Sequence, residues 1–333
     1  MRIAVFGAGT WGLNHLRVLS GLPGCALVAA ADPSAAARAR VAAEHPGLRV
    51  VAVPTALLED PGIDAVVVAT PSPTHAALAT RALKAGKHVL VEKPLALSGG
   101  EVRRLGKLAA SHRRVLMVDH LLEYHPGFER MLALVRSGRL GKVLYAYAQR
   151  LNLGVIRKTE NALWSLGPHD VSMLLALFSA MPTSVSARGG AYVQRRRHDV
   201  VFVDLLFPGG RLAHLHVSWL DPHKTRRLTV VGDRRMAVFD DMAPTEKVRV
   251  YEKRASPKAE YRSYGEAIAV HSGEVWIPRL PASEPLRLAC AHFVSCVRTG
   301  RAPRTGAASG LQVVRVLEAA QRALDSGRTV RVR

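Results

Sequence analysis

Short apolar runs alternate with alanine-rich segments of helical character along the first third of the chain. Because apolar strands separated by helices are typical of a parallel sheet covered on both faces, this pattern predicts an α/β domain. Gly86 follows the third helical segment, where a C-terminal cap belongs. The predicted strands are Ile3–Phe6, Ala26–Ala31, Ala65–Ala69, His88–Val91 and Val115–Val118. The predicted helices are Thr10–Ser20, Ser34–Glu44 and Thr74–Lys84.

The pattern changes after about Glu123, where longer alternating segments of strand character replace the strand–helix repeat. Gly209-Gly210 is a hairpin signal between two of these segments. The stretch Glu252–Val275 is polar and poorly patterned, and predicts a loop. Helices are predicted over Gly127–Arg136, Pro168–Phe178, Pro285–Arg298 and Ser309–Leu324, and strands over Val143–Leu151, Ser184–Val193, Val200–Phe207, Arg211–Trp219, Leu228–Val231, Met236–Phe239 and Val248–Tyr251.

Composition excludes several classes of protein. Hydrophobic residues make up 48% of the 333 residues, enough for a sizeable core, and no apolar run approaches the roughly 20 residues that span a bilayer. The N-terminus lacks the apolar region and cleavage site of a signal peptide, which favours a cytoplasmic protein. Cys25, Cys290 and Cys296 are too few for a disulfide scaffold and match no zinc motif, so free thiols are expected.

The net charge of +21 allows nucleic acid, an anionic membrane or phosphorylated small molecules as partners. The basic residues are scattered, however, and form only short clusters such as Arg195-Arg196-Arg197. We interpret the charge mainly as a bias of composition, with a secondary preference for anionic ligands. Neither a nucleic acid nor a membrane is expected as a partner.

A glycine-rich turn follows the first predicted strand and opens the first predicted helix. Gly7 allows the tight turn, Gly9 lets a pyrophosphate approach the backbone, and Gly12 lets helix and strand pack closely. Asp32 ends the next strand, where its carboxylate can accept hydrogen bonds from a ribose and repels a 2′-phosphate. NAD is therefore favoured as the cofactor, and NADP stays open because Arg38 is nearby. The predicted cofactor contacts of this region are Gly7, Gly9, Thr10, Trp11, Gly12 and Asp32.

This motif makes residues 1–122 a predicted Rossmann domain with a parallel sheet. Residues 123–333 are predicted to form an α+β domain with a mostly antiparallel sheet, and the C-terminal helix is free to pack back on the first domain. The fold class is thus α/β.

Lys93 lies just past the C-terminal end of a predicted parallel strand, at the edge where ligands bind in open α/β sheets. A lysine there can orient a hydroxyl group and, if desolvated, join proton transfer. An ordinary surface lysine explains the local pattern equally well.

Together these motifs resemble the Gfo/Idh/MocA oxidoreductase family, which includes glucose–fructose oxidoreductase and inositol dehydrogenase. The resemblance covers nearly the whole chain, and its motifs are specific jointly. The matching pieces are Gly7–Gly12, Asp32-Pro33, Ala69–His75, Gly86–Pro94 and Gly167–Asp170.

The resemblance implies a second domain built on a large open sheet, whose outer face forms the interface of a homodimer or homotetramer. It implies that Lys93 is the active-site lysine and that the Lys93–Pro94 bond can be cis. The residues it places around the nicotinamide are Thr70, Pro71, His75, Glu92 and Lys93.

The resemblance also makes His169 the active-site histidine. Gly167-Pro168 looks like a helix start, because Pro favours the first helical position. His169 would then lie in the first turn, where the dipole favours the neutral imidazole that a general base needs. Without the resemblance, His169 is better explained as a structural residue. Asp170 would most simply complement the helix N-terminus.

One position departs from the family pattern. Many members carry an aspartate four residues before the histidine, where this chain has Ser165. A serine cannot hold a negative charge beside Lys93 or His169. Three alternatives follow: Lys93 and His169 suffice, another acid such as Asp119, Asp170 or Glu123 substitutes, or the redox role differs.

The predicted substrate contacts combine residues of both domains. Tyr124, flanked by His120 and His125, falls near the domain junction, and Arg150, Asn152, Arg157 and Lys158 are candidates for an anionic group or equally for solvated surface. His214 and His216 share one face of a strand, but no third ligand is evident, so no metal site is predicted. The full set of substrate candidates is Lys93, Tyr124, Arg150, Asn152, Arg157, Ser165 and His169.

The sequence therefore predicts an NAD(P)-dependent oxidoreductase that interconverts a ring hydroxyl and a ketone of a sugar or nucleotide sugar. Lys93 and His169 are its predicted catalytic residues. The alternatives are glycoside hydrolysis or elimination through transient oxidation, and a non-catalytic NAD-binding regulator.

Overall fold

The computed structural model describes residues 1–157, 159–257 and 268–332. They form two compact units. Unit 1 comprises Met1–Tyr124 and Ser283–Arg315, and unit 2 comprises His125–Ala282 and Val316–Arg333.

Unit 1 contains a six-stranded parallel sheet. Its strands are β1 (Arg2–Phe6), β2 (Ala26–Ala31), β3 (Arg49–Val51), β4 (Ala65–Val68), β5 (His88–Glu92) and β6 (Leu116–Asp119). They lie in the order β3-β2-β1-β4-β5-β6. Successive strands are added on one side of β1 up to β3 and on its other side from β4 onward. This is the strand order of a dinucleotide-binding Rossmann fold, and it confirms the predicted fold class.

Helices follow the strands of this sheet, as predicted. The α-helices of the described chain are α1 (Thr10–Ser20), α2 (Ala35–Glu44), α3 (Thr55–Leu58), α4 (His75–Lys84), α5 (Gly99–Ser111), α6 (Pro126–Arg136), α7 (Ala162–Phe178), α8 (Pro285–Thr299) and α9 (Ala307–Ser326). None of them combines the length and apolar character needed to cross a bilayer. Helix α5 was not predicted. The Ser98 hydroxyl caps it by accepting from the Glu101 N–H and also donates to the Glu101 carboxylate, and Ser-x-x-Glu is the sequence signature of a capping box.

The core of unit 1 lies along the central strands of its sheet. Ile3–Phe6 of β1 and all of β4 are fully buried. Apolar side chains on both faces of these strands explain why they read as continuous hydrophobic runs rather than as alternating ones. On one side α1 packs against α8, and Phe293 of α8 is fully buried there.

Unit 2 contains a nine-stranded sheet. Its strands are β7 (Val143–Leu151), β8 (Ser184–Gly190), β9 (Val200–Leu206), β10 (Leu212–Ser218), β11 (Thr225–Gly232), β12 (Met236–Asp240), β13 (Val248–Pro257), β14 (Ile268–Trp276) and β15 (Val330–Arg331). Their order is β14-β13-β12-β11-β7-β10-β9-β8-β15. Only the pair β7–β10 is parallel among the described pairs, so the prediction of a mostly antiparallel sheet is confirmed. Helix α7 packs on β7, β9 and β10.

Helix α7 begins six residues before the predicted start, so the prediction that Gly167-Pro168 opens a helix is wrong. Asn161 caps the helix, because its side chain accepts a hydrogen bond from the Trp164 N–H (3.1 Å). Pro168 consequently lies inside the helix, where a proline removes a backbone hydrogen bond. The helix is buried over most of its surface, and this packing outweighs the local penalty.

The prediction of a loop over Glu252–Val275 is also wrong where the structure describes it. β13 continues to Pro257 and pairs with β14, which begins at Ile268. β14 is the edge strand, and most side chains over residues 251–255 and 270–276 are exposed. Edge strands pair through backbone groups and need no apolar face, which is why the polar sequence concealed them.

Candidate active site

The glycine-rich turn joins β1 to α1 in unit 1. Gly7 has a φ of 92°, and a Cβ on it would lie 2.6 Å from the Ala69 carbonyl oxygen. A Cβ on Gly12 would lie 1.9 Å from the Gly7 carbonyl oxygen. A Cβ on Gly9, in contrast, meets nothing within 4 Å. The fold therefore requires Gly7 and Gly12, and the open space at Gly9 fits a pyrophosphate at the N-terminus of α1.

Two side chains after this turn lie at the surface. Thr10 and Trp11 occupy the first turn of α1, and Trp11 is 37% exposed. Both are thus accessible to a nucleotide at this end of the helix.

Asp32 follows β2 and faces the glycine turn. One carboxylate oxygen accepts a hydrogen bond from the Ala8 N–H (2.7 Å), and the other accepts from the Ser34 N–H (2.8 Å). These backbone donors hold the carboxylate in place for a ribose. Arg38 donates to the carbonyl oxygens of Asp32 and Pro33 at the start of α2, so a cation also lies at this turn.

The ends of β4 and β5 are joined by a buried histidine. His75 places Nδ1 2.8 Å from the Pro94 carbonyl oxygen and Nε2 2.7 Å from the Thr70 carbonyl oxygen. His75 is buried, and its two ring contacts connect the loops that leave the sheet after β4 and β5. Pro71 is exposed beside Thr70, whose hydroxyl contacts that of Thr74 (2.6 Å).

Lys93 follows β5 at the carboxyl edge of the sheet and is partly buried. The Lys93–Pro94 peptide bond is cis, as expected from the resemblance. Glu92 is buried, and its Oε2 accepts a hydrogen bond from the Lys93 N–H (3.2 Å). The carboxylate is thus buried beside the Lys93 backbone.

His15, Glu92 and Asp119 form a buried cluster. The His15 Nε2 atom lies 3.1 Å from Glu92 Oε1 and 3.4 Å from Asp119 Oδ2. The other ring nitrogen, Nδ1, lies 3.7 Å from the Cys290 thiol. The donor atoms of the three residues lie within 4.8 Å of one another. His15 was not among the predicted site residues. The available signal was a histidine in α1, about one turn after Gly12 of the glycine-rich motif.

The ionisation of this cluster follows from its burial. Burial and the Glu92 charge raise the pKa of Asp119 to about 7, although the charges of His15 and Lys93 act in the opposite direction. For His15, burial lowers the pKa, but the hydrogen bonds with Cys290 and Glu92 outweigh it and leave the pKa well above its usual value. Burial and the neighbouring charges therefore shift the pKa of Asp119 and that of His15 upward from their ordinary values.

His120 and Tyr124 are buried in the same unit. Burial and the charge of Lys93 lower the pKa of His120 to about 3, so this imidazole is neutral. The Tyr124 hydroxyl contacts the Thr305 hydroxyl (3.1 Å), and the Arg304 guanidinium stacks on its ring. These contacts hold the Tyr124 side chain within unit 1, and its role as a substrate contact stays a prediction.

In unit 2, Arg150 and Asp170 form a buried ion pair. Nε and Nη2 of Arg150 donate to the two carboxylate oxygens of Asp170 at 2.6 and 3.0 Å. Asp170 therefore pairs with β7 and does not cap α7, which corrects the role predicted from the sequence. Arg150 is likewise a buried partner of α7.

His169 and Ser165 lie one turn apart on α7, and both are buried. Four residues apart on a helix, they share one face. The prediction that His169 lies in the first turn is wrong, because α7 begins at Ala162. The dipole of α7 therefore gives no reason to expect a neutral imidazole at His169.

The other candidates of unit 2 lie in loops. Asn152 is half-buried and Arg157 is exposed. The carbonyl oxygen of Arg157 accepts a hydrogen bond from the Gln194 side chain (3.2 Å), which brings it to the loop that holds Arg195, Arg196 and Arg197. Lys158 lies outside the described residues.

Three further histidines have structural partners. His125 caps α6 by accepting from the Gly127 N–H (2.9 Å), and its Nε2 lies 3.2 Å from Asp241. His214 contacts Asp204 (2.8 Å), and His216 stacks on Phe202.

Comparison with known proteins identifies the family. The model of the GFO/IDH/MocA oxidoreductase family, with an NAD-binding Rossmann fold, matches residues 1–120, and the model of the GFO/IDH/MocA C-terminal domain matches residues 128–238. The uncharacterized oxidoreductase YdgJ of Escherichia coli is 31% identical over 74% of this chain and 73% of its own length. The chain belongs to the GFO/IDH/MocA oxidoreductase family.

Two named members of the GFO/IDH/MocA family are informative. The UDP-N-acetylglucosamine 3-dehydrogenase of Acidithiobacillus ferrooxidans is 32% identical over 72% of this chain and 74% of its own. A solved structure of that enzyme superposes with a TM-score of 0.82 at 26% identity and covers 98% of both chains. The scyllo-inositol 2-dehydrogenase (NAD(+)) of Bacillus subtilis is 30% identical over 57% of each chain.

Membership of the GFO/IDH/MocA family confirms the resemblance read from the motifs. It also confirms the prediction of an oxidoreductase with an NAD-binding Rossmann fold. The residues that would hold the nucleotide are those around the glycine turn and Asp32, and the space at Gly9 fits that group.

Proposed function

We propose that the protein is an NAD-dependent dehydrogenase that oxidises a ring hydroxyl of a nucleotide sugar, or reduces the corresponding ketone. The main support is the similarity to UDP-N-acetylglucosamine 3-dehydrogenase, which covers 98% of both chains in structure. Asp32 supports NAD over NADP, because its carboxylate faces the glycine turn and repels a 2′-phosphate.

Lys93 is proposed to hold the reacting oxygen. Its ammonium group, at the carboxyl edge of β5, can hydrogen-bond the substrate hydroxyl and stabilise negative charge on the oxygen as the proton leaves. His169 is proposed as the base that takes this proton, on the strength of its place in the family motif. Bound nicotinamide supplies or accepts the hydride.

The arginine-rich loop of unit 2 is the proposed contact for the diphosphate. Asp199 shapes this loop, because its carboxylate accepts hydrogen bonds from the Tyr192 and Val193 N–H groups (2.7 and 2.8 Å). Gln194 then joins the loop to the backbone of Arg157, and the side chains of Arg157 and Arg195–Arg197 are largely exposed. Arginine side chains suit a diphosphate because they donate in pairs.

The experiment is a substrate panel followed by the absorbance of reduced nicotinamide. UDP-sugars, the matching free sugars and inositols are each supplied with NAD and with NADP. We expect the highest kcat/KM with a UDP-sugar and NAD. Arg157→Gln should raise KM for the UDP-sugar and leave the weaker turnover of the free sugar unchanged. A free sugar or inositol turned over better than every UDP-sugar would refute the nucleotide-sugar assignment.

A free ring polyol is the second candidate substrate. It is supported by the similarity to scyllo-inositol 2-dehydrogenase over 57% of each chain. The same panel separates the two candidates. Release of a cleaved sugar without net formation of NADH would instead indicate glycoside hydrolysis or elimination through transient oxidation. Biological activity unchanged by Lys93→Ala would indicate a non-catalytic NAD-binding regulator.

We also propose that the outer face of the unit 2 sheet forms a homo-oligomer interface. Cross-strand register places Tyr145, Leu212 and Leu206 side by side on this face, and all three are at least 40% exposed. Phe202 and His216 continue the patch as a stacked pair. A contiguous exposed apolar patch is typical of a protein–protein contact.

A further inference from the structure

We infer that Arg40 is a second cofactor-specificity residue, whose guanidinium binds the 2′-phosphate of NADP, so that the site accepts NADP beside the preferred NAD. This role rests on the proposed position of the nucleotide between the glycine turn and Asp32, and it is independent of the sugar. It deepens the proposed function, because Asp32 without a neighbouring cation would reject a 2′-phosphate.

The guanidinium of Arg40 reaches the glycine turn. Its Nη2 atom donates a hydrogen bond to the Ala8 carbonyl oxygen (3.2 Å), although Arg40 lies 32 positions further along the chain, on α2. The Ala8 N–H donates in turn to the Asp32 carboxylate (2.7 Å). Because the nitrogen and the carbonyl oxygen of one residue are only about 3–4 Å apart, the guanidinium and this carboxylate are separated by no more than about 10 Å.

Most of the donors of Arg40 are left over within the part of the chain that the structure describes. A guanidinium carries five N–H donors, and the hydrogen bond to Ala8 occupies one of them. No carboxylate of the described residues forms an ion pair with Arg40, and its side chain is exposed. The remaining donors can therefore bind a phosphate in pairs, which is the geometry that arginine favours.

Arg38, the cation that the sequence places beside Asp32, has a different role. Its Nη1 atom donates to the carbonyl oxygens of Asp32 (3.0 Å) and Pro33 (2.8 Å), and the residue is less exposed than Arg40. Arg38 thus stabilises the turn between β2 and α2. Arg40 instead links α2 to the glycine turn, which places its charge between the two parts of the proposed nucleotide site.

The start of α2 favours an anion at the same place. The helix begins at Ala35, directly after the turn that contains Asp32, and the Ser34 side chain caps it by accepting from the Ala37 N–H (3.3 Å). The N-terminus of a helix carries partial positive charge, and the first turn of α2 contains no acidic residue to neutralise it. The Asp32 carboxylate opposes both this dipole and Arg40, which is why NAD stays the preferred cofactor.

The test measures the binding of two small probes in the absence of any sugar. AMP carries the adenosine and the 5′-phosphate, and adenosine 2′,5′-bisphosphate adds only the 2′-phosphate. Calorimetry gives the Kd of each probe. We expect Arg40→Gln to raise the Kd of the bisphosphate about tenfold and to leave that of AMP within about twofold of the wild type. Arg40→Lys should keep part of the affinity, since lysine retains the charge but not the paired donors.

Three further variants separate Arg40 from its neighbours. Asp32→Ser removes the opposing charge and should tighten the bisphosphate, and adding Arg40→Gln should abolish most of that gain. Arg81→Gln, which changes an exposed arginine on α4, is the matched control and should alter neither Kd. Arg38→Gln should lower the melting temperature without a selective loss of the bisphosphate.

An equal loss of both probes in Arg40→Gln overturns the inference, because Arg40 would then contact the 5′ side of the nucleotide. So does an unchanged Kd in Arg40→Gln, or a bisphosphate that binds neither the wild type nor Asp32→Ser. Binding of AMP checks the nucleotide site itself. No turnover is measured, so the outcome stands apart from failure of the proposed sugar substrate.

Discussion

The Gly7 carbonyl oxygen lies against Gly12, where an added Cβ would come within 1.9 Å of it. At Gly9, two residues along the turn, an added Cβ meets no atom within 4 Å, and the φ of −71° suits any residue. Gly7 and Gly12 are thus required by packing inside unit 1, whereas Gly9 is required only if a ligand approaches.

This contrast predicts opposite effects for two alanine variants. Gly12→Ala should lower the melting temperature, because α1 must move away from the turn. Gly9→Ala should leave it unchanged but raise KM for NAD about tenfold, a loss of about 1.4 kcal/mol. Thermal melts and NAD titrations check both. A normal KM in Gly9→Ala would show that the dinucleotide does not cross the turn there.

Cofactor preference should depend on Asp32. Asp32→Ser removes the negative charge, so the ratio of kcat/KM for NAD over NADP should fall about tenfold. The variant also loses the bonds from Ala8 and Ser34, and a small drop in melting temperature is expected. Glu59→Gln, an exposed carboxylate of the same unit, is the control and should change neither. Wild-type preference for NADP would contradict the ribose argument.

The buried Arg150–Asp170 pair should be costly to break from one side. Arg150→Met leaves an unpaired buried carboxylate and should reduce the free energy of unfolding by about 3–5 kcal/mol. Arg150→Met with Asp170→Leu should recover most of that loss. Arg227→Met, which breaks the more exposed pair with Asp240 (2.8 Å), should cost no more than about 1 kcal/mol. Urea denaturation of the variants measures these differences.

Stability at acid pH should depend on Asp241. Burial alone raises its pKa, but the hydrogen bond with His125 and the surrounding positive charges outweigh it and lower the pKa to about 2. Since the folded pKa lies below the unfolded value of 3.8, the stabilisation is present above about pH 4 and is lost as the pH falls toward 2. Asp241→Asn should flatten this part of the stability curve. If the free energy of unfolding of Asp241→Asn declined as steeply at acid pH as that of the wild type, Asp241 would be excluded as the source of the acid sensitivity.

The oligomeric state should depend on the apolar patch of the unit 2 sheet. Leu206→Asp combined with Leu212→Asp places two charges opposite each other on this face. Light scattering should then report a monomer where the wild type is a dimer or tetramer. Val270→Asp, at a still more exposed position on β14, should keep the wild-type mass. A wild-type monomer would contradict the proposed interface.

Much of unit 1 could be predicted from the sequence because its signals are local. Apolar strands buried on both faces read as continuous runs, and the bounds of α1 and β2 agree with the prediction to the residue. The glycine turn and Asp32 are likewise close enough in sequence for their spacing to indicate a nucleotide site.

The sequence by itself determined the family, the two kinds of sheet and the residues at the nucleotide turn, because each depends on neighbours along the chain. Only the tertiary structure showed that Arg150 is held by Asp170, that His169 lies deep in α7, and that His15 meets Glu92 and Asp119. These pairs join residues 20 to 104 positions apart, and the burial that decides their charge exists only after folding.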